Sequence, residues 1–276
     1  PLSFSQRRLW LLDQIDGPSS TYNIPWSMRL RGSLDVASLD AALTDVIRRH
    51  ESLRTIVALL DGQPVQHILP ALSVGSVLEV REIKADLLHE AVDTAVNYTF
   101  NLGKDLPLRV WLFHVGKEES VLVVLLHHIA SDGWSFAPLA HDLETAYAAR
   151  LQGREPDWAP LPVQYADYTL WQHEVLGEET DPDSAISRQL AYWQETLAGL
   201  PEQLDLPSDR PRPSVASHRG GHVPLSIGAD LHARLLGLAR DGRSSLFMVL
   251  QAGLAGLLTR MGAGTDIPLG SPIAGR

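Results

Sequence analysis

The chain has 276 residues, 45% of them hydrophobic and 20% charged, the balance of a globular protein long enough for one large domain or two small ones. A net charge of −10 with no basic stretch argues against nucleic acid as a partner, and no run is long and apolar enough for a membrane span. There is no cysteine, which excludes disulfides and thiolate chemistry; no signal peptide is visible, and the expected compartment is the cytoplasm. A chain that opens on Pro1 reads as a segment of a longer one.

Ser3 to Ile15 reads as a helix with Leu9, Leu12 and Ile15 on one face, stopped by Asp16-Gly17-Pro18. Ile24 to Leu30 reads as a strand. Asp35 is the N-cap of a helix whose stripe is Leu39, Leu43, Val46 and Ile47. Thr55 to Leu60 and Val65 to Leu69 flank Asp61-Gly62, a hairpin signal. Val77 to Ile83 is a strand and Asp86 to Phe100 a helix. Leu108 to Val115 and Val121 to His128 are strands joined by a charged turn, and Phe136 to Arg150 is a helix. This mixture of hairpins and helices predicts an α/β sandwich on a mixed sheet. Beyond a proline-rich connector at Gly153 to Pro162, helices are expected at Val163 to Leu176 and Ser184 to Leu197. A second connector spans Leu200 to Pro213. Strands near Val223 to Ile227 and Asp266 to Gly270 and helices near Ala229 to Arg240 and Leu246 to Met261 complete the pattern. No repeat or low-complexity tract interrupts it.

The chemistry concentrates where the apolar strand Val121 to Leu126 meets His127 and His128. Six consecutive apolar residues read as a strand buried on both faces. Alternation sends the two imidazoles to opposite faces, so one can line a cleft while the other packs inward. Asp132 follows in the loop, Gly133 permits a tight turn or close approach of backbone to a ligand, and Ser135 can cap the next helix. A neutral imidazole can accept a proton from an attacking amine or hydroxyl. Structural histidines also occupy strand ends, and spacing alone leaves both readings open. Adjacent histidines on opposite faces make a poor chelate, so no metal is expected.

His127-His128-Ile129-Ala130-Ser131-Asp132-Gly133 resembles the HHxxxDG signature of condensation domains of nonribosomal peptide synthetases. Leu2 to Leu11 looks like that family's opening motif, with Ser5 where alanine is more usual. Arg49 to Val57 looks like its second motif, with Val57 for phenylalanine. Tyr165 to Gln172 looks like its fourth, with Tyr168 for phenylalanine. The connector Ser208 to Pro213 and the segment Leu269 to Arg276 also resemble the family, whereas its later motifs are absent.

The resemblance implies an α/β, two-lobed, chloramphenicol-acetyltransferase-like sandwich. Its N-terminal lobe, residues 1–178, is complete and carries HHxxxDG; the C-terminal lobe, 179–276, is partial. It implies amide-bond formation between a donor carrier-bound aminoacyl or peptidyl thioester and the amine of an acceptor carrier-bound amino acid. His128 is the catalytic residue by resemblance, as base or as positioner of the amine. His127, Asp132, Gly133 and Arg54 support the site, Asp132 being expected to pair with Arg54. Trp134, Ser135 and Tyr22 are candidates for the substrate tunnel. Gln6, Arg7 and Trp10 belong to a helix docked on the sheet, Asp167 and Trp171 share a packing face, and His141 and His173 read as surface residues.

No cofactor is expected on the domain itself, 4'-phosphopantetheine being carried by partner carrier domains. The expected partners are upstream donor and downstream acceptor peptidyl carrier domains and an adjacent adenylation domain. Arg7-Arg8 and Arg210 to Arg212 are candidate basic spots for the acidic carriers. Turnover by this segment alone is expected to be slight. Other readings are an epimerase relative, a non-catalytic recruitment module, an ester-forming enzyme and, more distantly, a coenzyme A acetyltransferase.

Overall fold

The computed structural model describes residues 1–201, 203–211, 213–214, 220–221 and 223–271. The expected segment Leu269 to Arg276 therefore lies outside the described residues beyond position 271, as does Arg212 of the basic spot. The chain divides into two compact units, Pro1–Ser187 and Arg188–Gly275.

In the first unit, helix α1 (Phe4–Asp16) starts at a reciprocal cap: the Ser3 hydroxyl accepts from the Gln6 amide, and the Gln6 side chain accepts from the Ser3 amide. Leu9 is buried, but Ile15 is 70% exposed. Each three-residue step falls about 60° short of a full turn, so the Leu9–Leu12–Ile15 row winds off the buried face. Strand β1 (Asn23–Arg31) follows. Helix α2 (Val36–Arg49) is capped by Asp35, whose carboxylate accepts from the Ser38 amide at 2.7 Å. Its predicted stripe of Leu39, Leu43, Val46 and Ile47 is buried throughout.

A 3-10 turn, Glu51–Arg54, leads into hairpin β2 (Thr55–Leu60) and β3 (Gln63–Ile68). Asp61 (φ 51°) and Gly62 (φ 78°) both take positive φ, as a tight two-residue hairpin turn demands. Then come β4 (Leu78–Glu82), helix α3 (Leu88–Val96), β5 (Leu108–Gly116), β6 (Glu119–His127) and α4 (Phe136–Arg150). Helix α3 is shorter than predicted: the chain leaves the helix at Asn97, and Phe100 goes into the core.

The main sheet has the order β1-β6-β5-β4, antiparallel except for the parallel β4–β5 pair. Strand β6 is central. Its Leu122, Val124 and Leu126 join α2 and α4 in one core layer. Its Val121, Val123 and Leu125 join Leu9 of α1, Ala95 of α3 and Phe100 in the other. A strand covered on both faces must be apolar at every position, which explains the unbroken run. Each large side chain buried there contributes roughly 1.5–3 kcal/mol.

Helices α2 and α4 are further joined by two ion pairs. Asp45 accepts two bonds from Arg150 at 2.7 Å each, and Asp142 accepts from Arg49 at 2.9 Å and pairs with His50 at 2.7 Å. Hydrogen bonding to Asp45 holds the Arg150 guanidinium above its ordinary pKa. Helix α5 (Tyr165–Leu176) closes this part of the unit, and α6 (Ala185–Thr196) begins at its end.

The second unit contains α7 (Ala229–Asp241) and α8 (Leu246–Arg260), close to the predicted bounds. The strands expected near Val223 to Ile227 and Asp266 to Gly270 are not formed; Val223 and Leu225 are exposed. A strand exists only against a hydrogen-bonded neighbour, and no described residue supplies one to either segment. No helix among the described residues is long and apolar enough to cross a membrane.

Candidate functional site

The loop His127 to Ser135 leaves the C-terminal end of β6, the best-anchored strand of the sheet. His127 is still in register with Asn23 of β1, and the His128 amide continues the ladder by donating to the Tyr22 carbonyl at 2.8 Å. Backbone placement of both histidines is therefore fixed by the sheet.

Their side chains differ. His127 is buried, its Nδ1 accepts the Ile129 amide at 3.1 Å, and its ring meets Phe100 edge-on at 5.7 Å and Tyr22 at 6.4 Å. An accepting Nδ1 puts the proton of the neutral ring on Nε2. Its neighbours Phe100 and Tyr22 belong to the core layer of α1 and α3. His128 is half-buried, and its buried Nδ1 has no hydrogen-bond partner among the described residues. Buried polar atoms are nearly always bonded, so an orphan nitrogen at this position is a feature the fold does not explain.

Asp132 and Ser135 form a reciprocal cap. The Asp132 Oδ1 accepts from the Trp134 amide (3.1 Å), the Ser135 amide (3.1 Å) and the Ser135 hydroxyl (2.8 Å), while the Ser135 hydroxyl accepts from the Asp132 amide (3.0 Å). Ser135, expected to cap the next helix, stands at the N-cap of α4 but makes no side-chain cap bond there; with Asp132 it closes the turn that precedes the helix. Gly133 does not have the positive φ that would demand glycine, and a Cβ there would meet nothing within 4 Å. The fold gives no reason for glycine, and a side chain would project into open space in front of the loop.

The expected Arg54–Asp132 ion pair is not formed. Arg54 is buried, but its guanidinium donates to the Leu69 carbonyl at 2.5 Å and pairs with Glu51 at 3.3 Å. The Leu69 amide in turn donates to the Arg54 carbonyl at 2.9 Å. Arg54 therefore clamps the end of the β2–β3 hairpin. Asp132 finds its donors within three residues, at less entropic cost than ordering a distant arginine. Among the tunnel candidates, Tyr22 packs on His127, Ser135 serves the cap and Trp134 is 75% exposed.

The other motif segments meet one another around this loop. Tyr165 of α5 bonds the Ser3 hydroxyl at 2.8 Å, Gln172 accepts from the Phe4 amide, and Gln164 bridges the Arg49 carbonyl and the Glu51 amide. His173, expected at the surface, bonds the Leu2 carbonyl at 2.9 Å and stacks on Phe4. The expected shared face of Asp167 and Trp171 does not act as one: Asp167 caps its own helix through the Gln164 amide, and Trp171 is 56% exposed. Leu2 and Gln6, Thr55 and Val57, and Ile129 and Ala130 enclose a cavity of about 10 Å³, room for no more than a water.

Sequence reasoning missed the Asp142–Arg49–His50 cluster. The available signal was an acidic residue among the apolar positions Leu139, Leu143 and Ala146 of α4.

A mixed sheet sandwiched by helices, with a histidine pair and a capped Asp-Gly loop at the end of its central strand, defines the HHxxxDG class of α/β domains. The Condensation domain family matches residues 1–276, and the chain belongs to that family. It is 57% identical to CymA, a probable nonribosomal peptide synthetase of Salinispora arenicola, and 56% identical to a dimodular nonribosomal peptide synthase of Bacillus subtilis. Both likenesses cover all of this chain but only 4% and 12% of those proteins. Among solved structures, the X-domain from teicoplanin biosynthesis is similar at 39% identity and a TM-score of 0.87, over 95% of this chain and 57% of that one. A second structure holds that X-domain in complex with OxyB. The first condensation domain of the CDA synthetase shares the fold, at 20% identity and a TM-score of 0.69, over 95% of this chain and 62% of that one.

Proposed function

We propose that this domain joins a donor aminoacyl or peptidyl thioester to the amine of an acceptor aminoacyl thioester, each delivered on the phosphopantetheine arm of a carrier domain. The acceptor nitrogen attacks the donor carbonyl, the C–N bond forms, the C–S bond breaks, and the proton lost by nitrogen ends on the departing thiol. No redox partner is needed. His128 receives that proton or orients the amine that carries it. His127, Asp132 and Arg54 act through the scaffold, and Gly133 keeps the front of the loop clear. The exposed Arg7 and Arg8 offer positive charge to an acidic carrier.

The observation that carries this reading is the half-buried His128, whose Nδ1 has no partner among the described residues, on backbone fixed by the sheet beside a tightly bonded turn. Membership in a family whose relatives are peptide synthetases supports it.

A second reading, partner recruitment without chemistry, is favoured by the likeness to an X-domain solved in complex with another protein. One experiment separates them. The domain, in its natural polypeptide context, is incubated with a loaded donor and a loaded acceptor carrier, and the acceptor is weighed by mass spectrometry. The expected result is acceptor mass raised by the donor unit. Loaded carriers that stay unchanged across several donor types favour recruitment, and Cα deuterium uptake without transfer favours epimerisation.

A further inference from the structure

A cavity of about 200 Å³ opens on the α2–α4 side of the sheet, beside the HHxxxDG loop. Its apolar wall is Leu53 from the 3-10 turn, Leu126 from β6, Ala130 from the loop and Pro138 and Leu139 from the first turns of α4. Ala130 and Ser131 of the wall belong to the loop that also carries His128. The cavity therefore lies within two residues of His128 along the chain.

Two polar groups of the wall, which also includes Ser52 and Ser131, have partners elsewhere. His50 turns its Nε2 to Asp142, and the Ser135 hydroxyl donates to Asp132. A polar ligand would find those two groups already engaged, whereas an apolar one gains by leaving water against the five apolar wall residues. The volume lies below the ~300–1,000 Å³ of sites that enclose a drug-sized ligand. It suits a branched aliphatic or aromatic side chain and excludes a whole aminoacyl-pantetheine.

We infer that this cavity receives the apolar side chain of one of the two joined aminoacyl units, and that Leu139 sets the size it accepts. The inference rests on the acyl-transfer reading above. Apolar pockets discriminate by about 10–200-fold per methylene, so a change in wall volume alters preference on that scale.

The test uses Leu139→Trp, which fills the cavity, and Leu139→Ala, which enlarges it, each confirmed by cooperative thermal unfolding. The kcat/KM ratio of leucyl to glycyl substrates is measured in two arms, one varying the donor against a glycyl acceptor and one varying the acceptor against a glycyl donor. Leu139→Trp is expected to lower the ratio at least about tenfold in one arm. Leu139→Ala is expected to move the preference in that arm toward phenylalanyl. The responding arm identifies the unit bound. Ratios equal to wild type in both arms overturn the inference, and Leu139→Ala decides alone if the tryptophan variant does not fold.

Methyl NMR with leucyl-pantetheine amide supplies a readout without turnover. Shifts at Leu53 and Leu139 that a glycyl probe does not cause support the pocket, and their absence contradicts it. Such shifts in a protein that transfers nothing keep the pocket and reject acyl transfer. Transfer without shifts or size dependence does the reverse.

Discussion

Asp132 spends its carboxylate on its own loop. Its carboxylate gathers three donors at the start of the turn that leads into α4, which fixes the loop carrying His128 and Gly133. Losing such a cap typically costs ~1 kcal/mol, whereas breaking a buried ion pair costs ~3–5 kcal/mol. The two accounts of Asp132 therefore differ measurably. In a double-mutant cycle of Arg54→Ala and Asp132→Ala, followed by denaturant unfolding, the two losses should add to within about 0.5 kcal/mol. A coupling of several kcal/mol would restore the direct pair.

At the scale of elements, α2 and α4 cover the sheet face to which Leu122, Val124 and Leu126 point, and ion pairs join the two helices. Asp142 is central, because it receives both Arg49 and His50 at the C-terminal end of α2. The same arginine lies over the Trp158 ring at 4.7 Å and donates to the Ala159 carbonyl. Replacing Asp142 with alanine strands two largely buried nitrogen groups and should lower stability by about 3 kcal/mol. Urea unfolding checks this; a loss under about 1 kcal/mol would make the cluster peripheral.

The elements themselves were largely legible in the sequence. Asp35, Asp61-Gly62 and the Leu39–Ile47 stripe are local signals, and local geometry honours them. The Asp142 cluster was not legible, because its members lie more than ninety residues apart. The two strands expected after Gly221 failed for a related reason: strand propensity is local, but strand formation needs a neighbour. His173 likewise carries no sequence mark of its bond to the Leu2 carbonyl.

At the scale of the molecule, the first unit supplies a rigid sheet whose central strand ends at the histidine pair, and the surrounding helices fix the loop that follows. The chain spans 12% or less of the length of the two synthetases that resemble it. Under the proposed function one residue, His128, is decisive. The measurement that tests it most directly is single-turnover condensation between two loaded carriers by wild type and by a folded His128→Ala variant, with transfer to the acceptor followed by mass spectrometry. The account predicts transfer by wild type and a rate roughly 10²–10⁴-fold lower in the variant. Equal rates in the two proteins would contradict it and remove His128 from the chemistry.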